Sequence, residues 1–187
     1  MCHTGGRVRT AFLVAATALC LLAETETSSA RAAERGEVVQ VDNVGVPLYS
    51  HNFDTGKDTS IGDKLSIAQF LGAHYFVTSR VRVGMMVQLT EQFTGDLAPH
   101  ADRWTTFALL PQVGWYFYER FFVAGVFTYA PRSGGKDQLD LGVQAVVGGS
   151  IPLTSDASFG YALEVPYNFH VARTIGITPL VGFSYKL

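Results

Sequence analysis

The residues with chemistry to offer are His74, Arg82, Gln88, Gln112, Gln144, Glu164 and Lys186, each on the polar side of a stretch that alternates polar and apolar. Successive side chains of a strand point to opposite faces, so each of these residues marks one side of a sheet. If that side is enclosed, they form a buried polar cluster in which every group needs a partner, and Glu164 set against Arg82 or Lys186 would satisfy both charges. Kept intact, such a pair plugs the enclosed space; broken, it opens a narrow path for ions. Other constellations are sparse. His170 is followed by Val171-Ala172 with no serine beside it, and His100 and Asp102 have only Thr94, Thr105 and Thr106 as hydroxyl neighbours. Nucleophilic catalysis needs nucleophile and base within hydrogen-bond reach, and no such pair stands out. His51 and Asp54 share a loop without the paired His or Cys spacing of a metal site. Arg132-Ser133-Gly134-Gly135-Lys136 lacks the spacing and setting of a phosphate loop and reads as a hairpin tip. No catalytic residue, metal or cofactor is expected.

The elements that must position the polar cluster are strands. The pattern predicts a weak first strand near Glu37–Tyr49, interrupted by Gly45 and Pro47, then a long polar loop over Ser50–Asp63. Further strands follow at about Lys64–Phe76, Arg80–Phe93, Trp104–Tyr118, Phe121–Ala130, Gln138–Ile151, Ser158–Tyr167 and Thr174–Leu187. Their connections alternate long and short, with tight turns at Thr78-Ser79, Glu119-Arg120 and Pro152–Ala157 and a Gly-rich loop at Pro131–Asp137. An even number of strands puts both termini at one end, with the short turns. Strands of about nine residues or more are long enough to cross a bilayer when tilted.

The apolar faces decide between water and lipid. Val81, Val83, Met85, Val87 and Leu89 form one, and Phe107, Leu109, Pro111, Val113, Trp115 and Phe117 another. The last two strands contribute Phe159 through Tyr167 and Ile175 through Leu187 at alternate positions. None of these residues is charged, as hydrocarbon requires, since Lys or Arg at mid-membrane costs about 2–4 kcal/mol. Tyr75, Trp115, Phe117, Tyr161 and Tyr185 gather towards the short turns, and Trp104, Phe107, Tyr129 and Tyr167 towards the long loops, as interfacial girdles do. Lipid offers no partner to a free N–H or C=O, so the sheet must close. The competing arrangement is a soluble barrel with the same faces inverted. It is disfavoured because so many rings would overfill an interior barely wide enough for its side chains, whereas Gly84, Gly142, Gly148, Gly160, Gly176 and Gly182 fit one. Pro111, Pro166 and Pro179 pose a difficulty, since a closed sheet has no edge to excuse a missing N–H; bulges or strand ends are expected there.

Composition agrees. Of 187 residues, 48% are apolar, 12% aromatic and 16% charged, and the charged share is well below that of soluble domains. Residues 1–32 read as a secretory leader: Arg7 and Arg9, an apolar Ala11–Ala23, and a cleavage site at Ala30-Arg31-Ala32, with Ala30 or Ala33 as alternative ends. Residues 33–187 form the single domain. Both cysteines, Cys2 and Cys20, lie in the leader, and Leu19 is too large for a lipoprotein signal at Cys20. Basic residues are scattered, which argues against nucleic acid.

The final residues, Gly182-Phe183-Ser184-Tyr185-Lys186-Leu187, resemble the C-terminal assembly signal of bacterial outer-membrane barrels, matching at Gly182, Tyr185 and Leu187 but ending in Leu rather than Phe. With the strand count, the region resembles small eight-stranded barrels such as the membrane domain of outer membrane protein A. The resemblance implies insertion by the barrel assembly machinery into the bacterial outer membrane, among its lipid and lipopolysaccharide, as a monomer. Some eight-stranded barrels remodel lipid A, but His170 lacks the nearby serine that the deacylases carry. The expectation is therefore an all-β, eight-stranded, antiparallel up-and-down transmembrane barrel, plugged, with a structural role or one of binding through its loops. A lipid-remodelling enzyme or a narrow gated pore are the alternatives.

Overall fold

The computed structural model describes residues 34–63, 65–93, 104–118, 120–133, 136 and 138–187. The expected leader, the loop carrying Thr94, His100 and Asp102, and the side chains of Trp104 and Thr105 lie outside the described part. Among the described residues there are ten strands: β1 (Val38–Gly45), β2 (Tyr49–Asn52), β3 (Lys57–Ser60), β4 (Ser66–Phe76), β5 (Val81–Gln92), β6 (Trp104–Tyr116), β7 (Phe121–Arg132), β8 (Asp140–Pro152), β9 (Ala157–Asn168) and β10 (Thr174–Lys186). β1 and β4 through β10 pair antiparallel in chain order, and β1 closes on β10 from Val39 opposite Lys186 to Gly45 opposite Leu180. The result is a closed barrel of eight strands, with the start of β1 and the end of β10 beside the short turns. Two of those turns are capped alike. The Thr78 hydroxyl accepts from the Arg80 and Val81 N–H at 3.2 and 2.9 Å, and that of Thr154 accepts from Asp156 and Ala157 at 3.2 and 3.0 Å.

The polar segment Ser50–Asp63, expected as a loop, instead carries the hairpin β2–β3. β2 follows β1 along the same edge of β10, with Tyr49 opposite Ile177 and Asn52 opposite Thr174. The hairpin thus extends the wall beyond the rim. Periodicity could not reveal it, because a strand exposed on both faces has no apolar side to alternate with.

The prolines are accommodated by irregularities in the ladders. Between Gly45/Leu180 and Tyr49/Ile177 the first strand has one residue more than β10, a bulge that holds Pro47 opposite the Pro179 region. Pro131, expected in the loop after β7, lies within that strand, where the register shifts against β6 between Phe107 and Leu109. At Pro111 the β6–β7 pairing skips from Leu109 to Gln112, and at Pro166 the β9–β10 pairing skips from Tyr167 to Glu164. In each case one ladder opens where the donor is missing.

Outside, the barrel is apolar: Leu71, Met85, Val113, Trp115, Val147, Val181 and Phe183 are each well exposed, a surface foreign to a water-soluble monomer. The expected outward sets of β5, β6, β9 and β10 point outward. β1 breaks the pattern. Its apolar Val39 and Val41 face inward while Gln40 and Asp42 face out, Asp42 lying between Phe183 and Leu71. That row sits just inside the girdle residue Tyr185, where the cost of a charge has fallen from its mid-membrane maximum. Asp42→Leu is therefore expected to stabilise the barrel in lipid vesicles by about 0.5–1 kcal/mol, read from urea unfolding.

Candidate functional site

The interior is layered. Nearest the short turns, His74 and Arg82 are each laid across a glycine. Arg82 crosses Gly114, where a Cβ would meet its Nε at 2.7 Å, and His74 lies over Gly84 in the row that continues to Gln112. The Arg82 guanidinium donates to the Tyr116 hydroxyl at 3.2 Å and stands over the rings of Phe122 and Tyr116, 4.2 and 5.4 Å from their centroids. Aromatic faces thus hold this cation where a carboxylate was expected. Above this layer Phe70, Met86, Leu110, Val126 and Leu180 are buried together. The barrel centre is apolar, a feature the alternation hides because Phe70, Met86, Leu110 and Val126 occupy inward positions among polar ones.

The third layer faces the long loops. Glu164 is 3% exposed and Gln144 6%. With Gln88, Thr128, Asp140 and Thr178 they surround a cavity of about 240 Å³, while a second cavity of about 70 Å³ lies below, beside His74 and Arg82. Glu164, Gln144 and Phe70 border both.

Of the expected cluster, His74, Arg82, Gln112, Gln144 and Glu164 are buried inside the barrel, but they are divided between two layers. Gln88 sits higher, in the row of Phe70 and Ala108, and donates to the Thr90 hydroxyl at 3.2 Å. Lys186 is at the rim, 3.3 Å from Glu37 Oε1. The expected pairing of Glu164 with Arg82 or Lys186 is not formed, and Glu164 accepts no hydrogen bond among the described residues. Strand stagger separates these groups, and sequence spacing alone does not reveal stagger. Tyr116, Phe122 and Thr128 were missed. Their signal was inward parity within already recognised strands. In the assembly-like motif, Gly182 faces inward and Tyr185 and Leu187 are exposed.

At the loop end, the β2–β3 hairpin is fastened to the β9–β10 connection. Arg173 Nε and a terminal guanidinium nitrogen donate to Asp54 Oδ1 at 2.8 and 2.7 Å, the Arg173 N–H donates to Asp54 Oδ2 at 2.8 Å, and the Phe53 N–H donates to the Arg173 carbonyl at 2.8 Å. Asp58 Oδ1 accepts from the Tyr49 hydroxyl and meets His51 Nδ1, both at 2.7 Å. His51 and Asp54 are thus committed to different partners. Hydrogen bonds from Arg173, first to the carboxylate through its backbone N–H, hold Asp54 below the usual 3.8, and the Tyr49 and His51 hydrogen bonds lower Asp58 likewise. A depressed folded-state value means stability that is present above the unfolded value and lost as pH falls through the folded one. The hairpin is therefore expected to stay docked from neutral pH to below 3.8, detaching only under stronger acid, as followed by the carboxyl carbon shifts of Asp54 and Asp58 in NMR.

Among the described residues, the remaining candidates do not assemble a catalytic set. His170 Nδ1 lies 3.2 Å from the Leu139 carbonyl on the exposed rim, and Thr106 borders the upper cavity. Ser133 and Lys136 pair as a hairpin tip, with N–O distances of 3.1 and 3.2 Å. Among the described residues no group of three or more His, Cys, Asp or Glu could hold a metal.

No protein-family model matches the chain, and no curated protein matches it. Among solved structures it is similar to Ail, the attachment invasion locus protein of Yersinia pestis, at 9% identity and a TM-score of 0.50, covering 82% of this chain and 99% of that one. The fold is that of a small outer-membrane β-barrel. OprG, an outer membrane protein of Pseudomonas aeruginosa, aligns at 10% identity over 84% of this chain and 98% of its own, with a TM-score of 0.49. A designed transmembrane β-barrel aligns at 13% identity, over 83% and 99% of the two chains, with a TM-score of 0.40. At such identities the likeness concerns the barrel alone, so function has to be argued from its interior and rim.

Proposed function

We propose that the chain is exported by its leader, inserted into the outer membrane by the barrel assembly machinery, and stands there as a monomer among lipid and lipopolysaccharide. Its role is to hold a binding surface at the loop end on a sealed wall, without catalysis. The observation that carries this reading is the cluster of Phe70, Met86, Leu110, Val126 and Leu180, buried together around the lower cavity, which leaves only about 70 Å³ open at that level of the barrel. An ion crossing there would shed most of its water in a narrow space walled largely by apolar side chains, a costly transfer. The loop end supports the binding half: the hairpin is bonded through Asp54 and Phe53 to Arg173 of the β9–β10 connection, and loops fixed on a rigid scaffold are where binding is usually carried. Planar-bilayer recording of the refolded mature chain is the test. Little or no conductance is expected, and steady large openings would refute the sealed interior.

A further inference from the structure

We propose that the upper cavity is a binding site for a compact primary ammonium ion, reached from the loop end; this rests on the reading of the loop end as the binding face. The cavity, about 240 Å³, is larger than the roughly 150 Å³ apolar cavity known to admit benzene. Among the described residues its wall contains two carboxylates, Glu164 and Asp140, and no Lys, Arg or His. The two acids differ. Asp140 Oδ1 accepts from the N–H groups of Leu141 and Val171 at 2.9 and 3.1 Å, so it is built into the rim. Glu164, 3% exposed at the cavity floor, has no hydrogen-bond or ionic partner among the described residues.

A second unsatisfied group faces the same space. Thr128 is 6% exposed, and its hydroxyl oxygen has no partner. Gln144, also buried, completes the floor. Buried polar groups are normally paired, and two unpaired ones lining one cavity mark what a guest would supply. An ammonium group brings three N–H donors, no acceptor and a single positive charge. It therefore suits a floor of one carboxylate, one hydroxyl and one amide oxygen. A multivalent metal suits it less, because no cluster of three or more metal-ligating residues lies among the described residues. Below the floor the space narrows to about 70 Å³ among Met86, Leu110, Val126 and Leu180, so the guest enters and leaves from the loop end.

The test uses the mature chain refolded in a non-ionic maltoside micelle, titrated with ethylammonium chloride and followed by the amide NMR signals of Thr128, Gln144 and Glu164. Sodium chloride at equal ionic strength is the control. Saturable shifts with ethylammonium but not sodium are expected, with affinity reduced roughly ten- to hundredfold in Glu164→Gln, since a hydrogen bond to a charged group is the larger share of such binding. Thr128→Val, which keeps the shape and removes the oxygen, should weaken binding by a smaller factor. Should Glu164→Gln fail to fold, Thr128→Val and the sodium control still decide the matter. Shifts that do not saturate, that sodium reproduces, or that survive in both variants would overturn the site. The titration is read independently of the bilayer recording, so a conducting barrel that still binds ethylammonium would leave the site standing, and a silent barrel that does not bind would remove the site alone.

Discussion

Gly182→Val is expected to leave the barrel unclosed, running on a gel at the mobility of the unfolded chain whether or not the sample is heated. Gly182 sits in the closing seam, paired with Asn43 of β1 on one side and Gly160 of β9 on the other. A Cβ at Gly182 would collide with the Asp42 carbonyl oxygen and the Asn43 amide oxygen, and would come within 2.6 Å of the Asn43 Cα. Two of these are backbone, which cannot step aside without parting β1 from β10. Overpacking of this kind costs about 3 kcal/mol or more, and it falls on the contact that makes the sheet edgeless. Gly160 is the control. It pairs directly with Gly182, yet its Cβ would have nothing nearer than the Gly182 carbonyl at 3.9 Å, so Gly160→Ala should close normally. Gly182 also belongs to the terminal motif that resembles an assembly signal, so the measurement should be made by refolding into detergent without any cellular factor. A Gly182→Val chain that closes there would show that the glycine serves recognition and not the seam.

The seam also shows what sequence could and could not say. For β5, β6, β9 and β10 the apolar side is long and uncharged, so parity alone assigned the outward face. β1 offered two valines alternating with Gln40 and Asp42, and parity would have turned the valines to lipid. The actual facing is set by register: Val41 pairs with Gly72 and Ser184, inward residues of strands whose own faces are unambiguous, so β1 must present Asp42 outward. A short strand takes its orientation from its neighbours. The prolines were legible as a problem and not as a solution, because a bulge is a property of two strands together. The polar interior residues were legible by face but not by height. Stagger brings Arg82 to Tyr116 and Phe122, leaves Glu164 in another layer, and takes Lys186 to the rim beside Glu37. The expected ion pair failed for that reason.

That failure leads to the second large effect, at Arg82. Arg82→Ala is expected to destabilise the barrel by about 3 kcal/mol in urea unfolding from vesicles, followed by Trp115 fluorescence, whereas Arg82→Met should stay within about 1 kcal/mol of the parent. The side chain is 7% exposed, packs over Gly114, and caps the rings of Phe122 and Tyr116. Alanine removes the whole stem and opens a void between glycine and aromatic rings that have no side chain to spare for it. Methionine refills most of that volume with a flexible, polarisable chain suited to aromatic surroundings. What methionine surrenders is a hydrogen bond to Tyr116 and the attraction of the cation to two rings, worth about 2 kcal/mol together. What it removes is a desolvated cation with no carboxylate in salt-bridge reach among the described residues and a buried Nε that donates to nothing. These terms oppose each other at similar size, so the packing difference decides. Equal losses for Ala and Met would instead assign the stability to the charge.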